Sequence, residues 1–343
     1  MTVSNDHHAV KSWLEERVHQ IQPPLKFSVM AGGKSNLTYR IDDSSGRRWI
    51  LRRPPLHGVI PSAHDMAREH RIISSLLASG VPVPETIGYE PDESLIGAPF
   101  FVMEYVDGHV LRHPDAAMEA LSEEARRNVG TSMVRALHAL HAVRPNSVGL
   151  GDLSRKDQYL ARQLRAWGRQ LDDVEGSLGT RIRLLRKVRD RLADSIPVQQ
   201  QNSIVHGDYR LDNVIISYGG EVRAVLDWEL STLGDPLADV ATLAVYWSDP
   251  DDSFFPLPTA TVASGFQKRE QVVESYMGNS SLDFSRFPYY LAFASWRLGV
   301  ILEGVLRRYD AGAYPEAGKE EWEWLRQSVP KLGELALDHL RSD

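Results

Sequence analysis

The chain contains no cysteine, which excludes disulfide bonds, thiol nucleophiles and thiolate metal sites. It also has no run of about 20 apolar residues, the length that a membrane-spanning helix needs. Basic residues are not in excess: 39 lysines and arginines against 46 aspartates and glutamates give a net charge of -7, which disfavours non-specific binding to nucleic acid. The N-terminus lacks the basic-then-apolar pattern of a secretory signal. We therefore expect a cytoplasmic protein that binds neither membranes nor nucleic acid; its oligomeric state is left open.

The 343 residues suffice for two domains, and their character changes near Val106. Before this point, short apolar stretches alternate with glycine-rich turns, which predicts an antiparallel sheet. After it, apolar residues recur every three or four positions, which predicts helices. We expect an α+β protein with one domain over 1–106 and a mainly helical one over 107–343. Strands are predicted at 27–30, 37–41, 49–53, 86–89 and 99–105, and helices at 10–21, 63–78, 123–141, 156–171, 182–192, 237–247, 289–308 and 319–340.

The most informative segment is His-Gly-Asp-Tyr-Arg-Leu-Asp-Asn at 206–213, followed by Asp-Trp-Glu at 227–229. Two short apolar stretches with a Tyr-Gly-Gly turn separate the motifs, so a β-hairpin is predicted between them. A carboxylate can accept the proton of an attacking hydroxyl, and carboxylate and amide oxygens suit magnesium. The pattern predicts a phosphotransferase site, with Asp208 as the base and Asn213 and Asp227 as ligands of Mg²⁺.

If these residues transfer a phosphoryl group, the N-terminal sheet should bind the nucleotide. A loop at 32–36 lies between two predicted strands, and its glycines allow backbone amides to approach phosphates. Ser35 and Asn36 could add hydrogen bonds to the same phosphates. The alternative is an ordinary Gly-Gly hairpin turn that binds nothing.

A basic residue on the third strand is expected to contact the phosphates and to pair with Glu69 on the following helix. Strand alternation places Ile50 and Arg52 on one face, which favours Arg52 for this role. Arg53 is the competing candidate, and both arginines could instead be solvated charges at a strand end.

The last strand of the sheet ends at Met103-Glu104-Tyr105-Val106, at the predicted domain boundary. Backbone groups of Glu104 and Val106 are expected to meet the adenine edge, with Met103 lining the pocket. Alternatively, Met103 is an ordinary core residue.

The predicted helix at 289–308 is aromatic, apolar and basic, and it offers Trp296 and Arg297 as candidates for binding the acceptor. Such a surface suits an acceptor with an apolar portion and an anionic group, such as a hydroxylated acyl chain or its coenzyme A thioester. An equally weighted alternative is that the helix is simply core.

With these residues in place, the chain resembles the aminoglycoside phosphotransferase and choline kinase-like family, which has the two-lobed protein-kinase fold. Within it, the chain is most similar to the kinase-like domains of acyl-CoA dehydrogenase family members ten and eleven. The resemblance implies that Asp208 is the base, that Asn213 and Asp227 bind magnesium, and that Arg52 with Glu69 clamps the phosphates. It also implies that Glu229 is an accessory acid near the metals and that Asp239 braces the catalytic loop.

We therefore expect an ATP-dependent kinase that phosphorylates a hydroxyl group of a small molecule, with Mg²⁺ as cofactor. Gly207 occupies the position at which protein kinases carry an arginine that pairs with a phosphorylated activation loop. Regulation by phosphorylation of such a loop and a peptide substrate are therefore not expected. Two alternatives remain: an aminoglycoside phosphotransferase and a catalytically silent nucleotide-binding module. The sequence does not decide between ATP and GTP.

Overall fold

The computed structural model describes residues 3–30, 36–55, 65–154, 158–172, 179–252, 259–312 and 319–343. The chain forms two compact units, one of Met1–Gly108 with Arg223–Leu230 and one of His109–Val222 with Ser231–Asp343. The first break lies two residues beyond the expected boundary. The second segment of the first unit, which carries Asp227, was not predicted.

The first unit contains a five-stranded antiparallel sheet in the order β1-β2-β3-β5-β4. All five strands were predicted to within two residues, because turn residues separate each apolar stretch from the next. Within the sheet, Arg52 of β3 lies opposite Phe101 of β5 and Thr38 of β2. The strands are β1 Lys26–Val29, β2 Leu37–Asp42, β3 Arg48–Arg53, β4 Thr86–Glu90 and β5 Phe100–Glu104.

Two helices belong to this unit, α1 at Val3–Glu15 and α2 at Met66–Leu76. Helix α1 buries Trp13 and Leu14 in a core cluster with strand residues that include Trp49 and Phe100. The opening helix was predicted too far along the chain: it starts at Val3 rather than at residue 10 and ends at Glu15 rather than at residue 21. Val18 and Ile21 pack on the same cluster from a non-helical segment. Their spacing thus reflected shared burial rather than a continuous helix.

The second unit is mainly helical, as predicted. Helix α4 begins where the Ser122 hydroxyl accepts a hydrogen bond from the Ala125 amide at 3.1 Å. Two helices, α3 and α8, were not predicted, because α3 has only two turns and α8 has a weakly amphipathic sequence. The helices are α3 Pro114–Ala120, α4 Glu123–Ala142, α5 Tyr159–Asp172, α6 Thr180–Asp194, α7 Pro236–Tyr246, α8 Arg269–Met277, α9 Phe287–Asp310 and α10 Lys319–Ser342. In the described part of the chain, no helix is long and apolar enough to cross a bilayer.

Short strands flank both motifs of the candidate site: β6 Ser203–Val205, β7 Val214–Ile216, β8 Val222–Val225 and β9 Thr232–Gly234. Strands β6 and β9 pair antiparallel in the second unit. A tight turn follows β7, in which the Ser217 amide donates to the Glu221 carbonyl at 2.8 Å. The predicted apolar stretches on either side of Gly219 and Gly220 are therefore strands joined by a turn.

Asp43 organises the turn between β2 and β3, and its carboxylate makes the first unit sensitive to acid. Burial raises the pKa of Asp43, but hydrogen bonds from Ser45, Gln22 and Arg47 have the larger combined effect. They lower the pKa from 3.8 to about 2. A carboxyl whose pKa is depressed on folding stabilises the fold above its unfolded value of 3.8, and this contribution disappears as the pH falls towards 2. We expect Asp43→Asn to be less stable than the native protein at pH 7. The difference in unfolding midpoint should shrink below about pH 4, whereas a constant difference would contradict this role.

Candidate active site

The loop that carries Asp208 is held by a buried carboxylate, that of Asp239 on α7. Its two oxygens accept hydrogen bonds from the backbone amides of His206 at 2.6 Å and Gly207 at 2.9 Å. Gly207 has a φ of 84°, a left-handed conformation that is strained for residues with a side chain. This explains locally why glycine precedes the aspartate. The bracing role that resemblance assigned to Asp239 agrees with these contacts.

His141 of α4 supports Asp239 from the other side. One ring nitrogen lies 3.2 Å from Asp239 Oδ2, and the other lies 2.7 Å from the hydroxyl of Tyr276. Burial raises the pKa of Asp239, but the bond to His141 and the charges of His141 and His206 lower it to a value below normal. The acidic partner of His141 is 98 residues away in sequence, so helical spacing could not reveal it.

The carboxylate of Asp208 is oriented through one of its two oxygens. Oδ2 accepts hydrogen bonds from Asn213 Nδ2 at 2.8 Å and from Arg210 Nε at 3.1 Å. Asn213 Nδ2 also donates to the Asp208 carbonyl at 2.9 Å, so the amide nitrogen faces Asp208 and the amide oxygen is the atom left for another partner. Within the described residues, no group donates to Asp208 Oδ1. Asp208 and Asn213 are thus brought together, as their spacing predicted.

From the sequence alone, Arg210 and Asp212 are as well explained by fixing the loop as by a chemical role, and in the structure both join this cluster. Arg210 Nη1 lies 2.8 Å from Asp212 Oδ2, and the guanidinium lies 4.9 Å from the ring centroid of Tyr246 at the end of α7. Burial lowers the pKa of Arg210, but the charges of Asp208, Tyr246 and Asp212 raise it above its ordinary value. For the Asp212 carboxyl, burial has the opposite effect and raises the pKa. Charged residues alternate along the motif at positions 208, 210 and 212, and this alternation is the sequence feature that could have indicated the cluster.

In the first unit, the Arg52 guanidinium lies between two carboxylates. Its Nη2 is 3.2 Å from Glu69 Oε1 and 3.5 Å from Asp227 Oδ1, and the Arg52 side chain is 13% exposed. Burial raises the pKa of Glu69 even though Arg52 opposes it, while the charges of Glu69, Asp227 and Glu229 raise the pKa of Arg52 against its burial. The competing candidate, Arg53, donates to the Ile96 carbonyl at 2.9 Å. The geometry favours Arg52, and its contact with phosphates remains a prediction.

Asp227 follows β8 in an unusual conformation, with a φ of 64°. Non-glycine residues in this region are uncommon, and they cluster at functional sites. The buried indole of Trp228 anchors the turn by donating to the Val225 carbonyl at 3.0 Å. The backbone carbonyl of Glu229 accepts from Arg68 on α2 at 3.3 Å, and the Glu229 carboxylate acts electrostatically on Arg52. Its predicted role beside the metal is untested.

The other residues predicted to bind the nucleotide differ in burial and in the hydrogen bonds that they already make. Ser35 and the glycines before it lie outside the described residues, and Asn36 is buried. Met103 is a buried residue of β5. The Glu104 amide donates to the Glu85 carbonyl at 2.8 Å, which removes this N–H from the predicted adenine contact. The Val106 amide makes no hydrogen bond with any described residue, so it is available to a ligand.

The acceptor candidates on α9 are both buried in the second unit. Trp296 is fully buried and donates to the Leu185 carbonyl at 2.9 Å. Arg297 is 4% exposed, and its Nη2 donates to the Thr242 hydroxyl at 3.0 Å. For Trp296 this geometry favours the alternative in which the helix is core. Arg297 has no carboxylate within ion-pair distance among the described residues.

The predicted metal ligands are oxygen atoms, the type of ligand that magnesium prefers. Nowhere in the described ranges do three histidine, aspartate or glutamate side chains gather as a metal cage would require. The predicted ligands are instead the carboxylate of Asp227 and the amide oxygen of Asn213. Magnesium is commonly bound by one or two protein oxygens, with waters and substrate phosphates completing its shell.

Comparison with known proteins relates the chain to phosphotransferases. Residues 26–270 match the phosphotransferase enzyme family. The chain is 34% identical to acyl-CoA dehydrogenase family member 10 of Mus musculus over 90% of the chain and 29% of that protein. It is 30% identical to acyl-CoA dehydrogenase family member 11 of Gallus gallus over 92% of the chain and 41% of that protein. The chain therefore spans less than half the length of these relatives.

Among solved structures, a putative aminoglycoside phosphotransferase from Ralstonia eutropha JMP134 superimposes with a TM-score of 0.78 and 27% identity. The match covers 97% of this chain and 98% of that one. The expected two-lobed, protein-kinase-like α+β fold is thereby confirmed. The chain belongs to the phosphotransferase enzyme family.

Proposed function

We propose that the protein transfers the γ-phosphate of ATP to a hydroxyl group of a small molecule. The observation that carries this proposal is the state of Asp208. One carboxylate oxygen accepts hydrogen bonds from Asn213 and Arg210, and no residue in the described ranges donates to the other. A base needs its orientation fixed and one oxygen free to take a proton.

In the proposed reaction, the acceptor oxygen forms a bond to the γ-phosphorus. The bond between this phosphorus and the bridging oxygen of ADP breaks, and its electrons leave with ADP. The hydroxyl proton moves to Oδ1 of Asp208. The braced backbone at His206 and Gly207 keeps the carboxylate in place during the transfer.

The first unit contributes the residues proposed to bind the nucleotide. Arg52, oriented by Glu69, is suited to phosphate oxygens because its guanidinium presents a planar fork of donors. Magnesium, held by Asp227 and Asn213 when bound, would offset the negative charge of the phosphates. The free amide of Val106 supports an adenine contact at the end of β5.

For the acceptor we propose a hydroxylated acyl compound or its coenzyme A thioester. The names of the two relatives connect this type of chain with acyl-CoA enzymes. Among the residues that the structure describes, the hydrogen-bond partner of the buried Arg297 is the neutral Thr242 hydroxyl, which is compatible with an anionic acceptor. An aminoglycoside, named for the Ralstonia structure, is a polycation and needs free carboxylates. The carboxylates of Asp208 and Asp212 in the catalytic loop both already contact Arg210.

A panel of acceptors tests this assignment. With ATP and magnesium, we expect turnover of hydroxyacyl compounds to exceed that of kanamycin-type aminoglycosides, measured as ADP release and as phosphorylated product by mass spectrometry. Hydroxyl-free acyl compounds of the same length are the matched control and should give only background. Turnover of aminoglycosides with none of any hydroxyacyl compound would reject the proposed acceptor.

A further inference from the structure

We propose that Arg297 and Tyr159 bind a free carboxylate of the acceptor, so that the substrate is a hydroxy acid rather than its coenzyme A thioester. This inference rests on the proposed function, because it narrows the acceptor class of that same reaction. Arg297 lies on α9, which packs against both α5, where Tyr159 begins the helix, and α7.

The guanidinium of Arg297 is buried without an anionic partner. Arg297 is 4% exposed, and its Nη2 donates to the Thr242 hydroxyl at 3.0 Å. That hydroxyl donates its own proton to the Ala238 carbonyl at 2.8 Å, so it offers Arg297 only a neutral oxygen. Nε and Nη1 of Arg297 have no acceptor among the described residues. Arginine is almost never fully buried unless its charge is paired.

Arg126 shows how an arginine with a structural role is buried in the same unit. It is 7% exposed, and its Nε donates to the Ser264 carbonyl at 2.6 Å while its Nη1 donates to the Leu121 carbonyl. Arg297 has no such backbone acceptors in the described part of the chain. Its two unpaired nitrogens are also open to solvent, unlike the sealed Ser295 hydroxyl on the same helix. A ligand can therefore reach them.

Tyr159 offers a second donor near Arg297. Its ring is fixed against β9, because a Cβ added at Gly234 would lie 2.5 Å from Tyr159 Cδ2. The Tyr159 hydroxyl makes no hydrogen bond with any described residue. Burial raises the pKa of this hydroxyl, although the charge of Arg297 opposes the shift, so the hydroxyl stays protonated at neutral pH. It can therefore donate to an anion that Arg297 binds.

Helix α7 connects this pair of donors with the base. Thr242, which contacts Arg297, and Tyr246 are four residues apart and lie on the same face of the helix. The Tyr246 ring lies 4.9 Å from the guanidinium of Arg210, which donates to Asp208. The charges of Asp208 and Arg297 shift the pKa of Tyr246 in opposite directions. One acceptor can thus place its hydroxyl at the base and its carboxylate at Arg297.

A carboxylate fits these donors better than a thioester does. Each carboxylate oxygen accepts charge-assisted hydrogen bonds, and two oxygens match the planar fork of a guanidinium. A thioester carbonyl is neutral, so it would leave the charge of the buried Arg297 without an opposite charge. The donors therefore select an acceptor whose acyl group is a free acid.

The test compares acceptors that differ only in this group. A series of linear hydroxy acids of increasing length is assayed with ATP and magnesium, each beside its own primary amide and its coenzyme A thioester. Turnover is measured as ADP release and as phosphorylated product by mass spectrometry. For the acid that reacts fastest, we expect kcat/KM to exceed that of its amide by about 10–10²-fold, the effect of a hydrogen bond to a charged group.

Arg297→Met should lower this ratio of acid to amide to near unity, and Arg297→Lys should restore part of it because the charge is kept. Tyr159→Phe should lower the ratio by less than Arg297→Met does, since it removes a neutral donor. Both substrates are compared within one protein, so a loss of folded protein cancels from the ratio. Arg126→Met, which removes an equally buried arginine, is the matched control and should keep the native ratio.

A native ratio in Arg297→Met would overturn the inference, and so would a native protein that prefers the amide or the thioester to the acid. Either result would leave the proposed function in place. Absence of phosphorylation of every hydroxylated compound, together with absence of ATP hydrolysis, would instead reject the proposed function. If Arg297→Met does not fold, the ratios in Arg297→Lys and Tyr159→Phe decide, and native ratios in both would overturn the inference.

Discussion

Asp208→Asn should lower kcat for phosphoryl transfer by roughly 10²–10⁴-fold, the range that a lost general base produces. Asparagine has the same shape, so it can keep one hydrogen bond within the loop while it no longer accepts a proton. The KM for ATP should change little, because Asp208 is assigned to the acceptor hydroxyl rather than to the nucleotide. The measurement is steady-state ADP release, with circular dichroism to confirm folding.

Asp227→Asn provides the contrast. It removes negative charge from the proposed metal site and one of the two carboxylates beside Arg52. We expect weaker binding of magnesium-ATP in calorimetry, whereas Asp208→Asn should bind it almost as the native protein does. Equal turnover in native and Asp208→Asn proteins would favour a catalytically silent nucleotide-binding module. Unchanged magnesium-ATP affinity in Asp227→Asn would reject its metal role.

Asp239→Ala should destabilise the second unit by about 3–5 kcal/mol and abolish turnover. The substitution leaves two backbone amides, those of His206 and Gly207, buried without an acceptor, and it removes the partner of His141. Buried donors that lose their acceptor cost much more than an average hydrogen bond contributes. The decrease should be visible as a lower urea midpoint.

Asp338→Asn serves as the control for Asp239→Ala. Asp338 pairs with Arg341 on α10, and both side chains are more than 60% exposed. Exposed pairs contribute about 0–1 kcal/mol, so the urea midpoint should hardly move. A native midpoint in Asp239→Ala would show that the loop does not depend on this carboxylate.

Local patterns were sufficient to predict most of the fold. Strand alternation favoured Arg52 over Arg53, and the spacing of apolar residues predicted that α4 begins at residue 123. The spacing of apolar residues wrongly predicted a helix at Val18 and Ile21, because these two residues pack on the core from a segment that is not helical. Helix α3 escaped prediction because two turns are too short to show a period of 3.6 residues.

The contacts of the candidate site were predictable where its residues are close in sequence, and the pair of Arg52 on β3 with Glu69 on α2 was also expected. Asp208 and Asn213 lie five residues apart, and one loop brings them into contact. The pairing of His141 with Asp239 and the packing of Arg210 against Tyr246 arise from tertiary contacts between distant segments. A single sequence carries no record of such contacts. The same is true of Trp296, whose burial depends on the helices around α9.

The chain leaves the first unit after Gly108, re-enters it at Arg223 and leaves again after Leu230. A gene fragment ending at Gly108 would therefore encode Arg52 and Glu69 but not Asp227. In a chimera joined to a relative at residue 108, two of these three side chains would come from one parent and the third from the other. Exchanging the first unit between relatives consequently requires three junctions, not one.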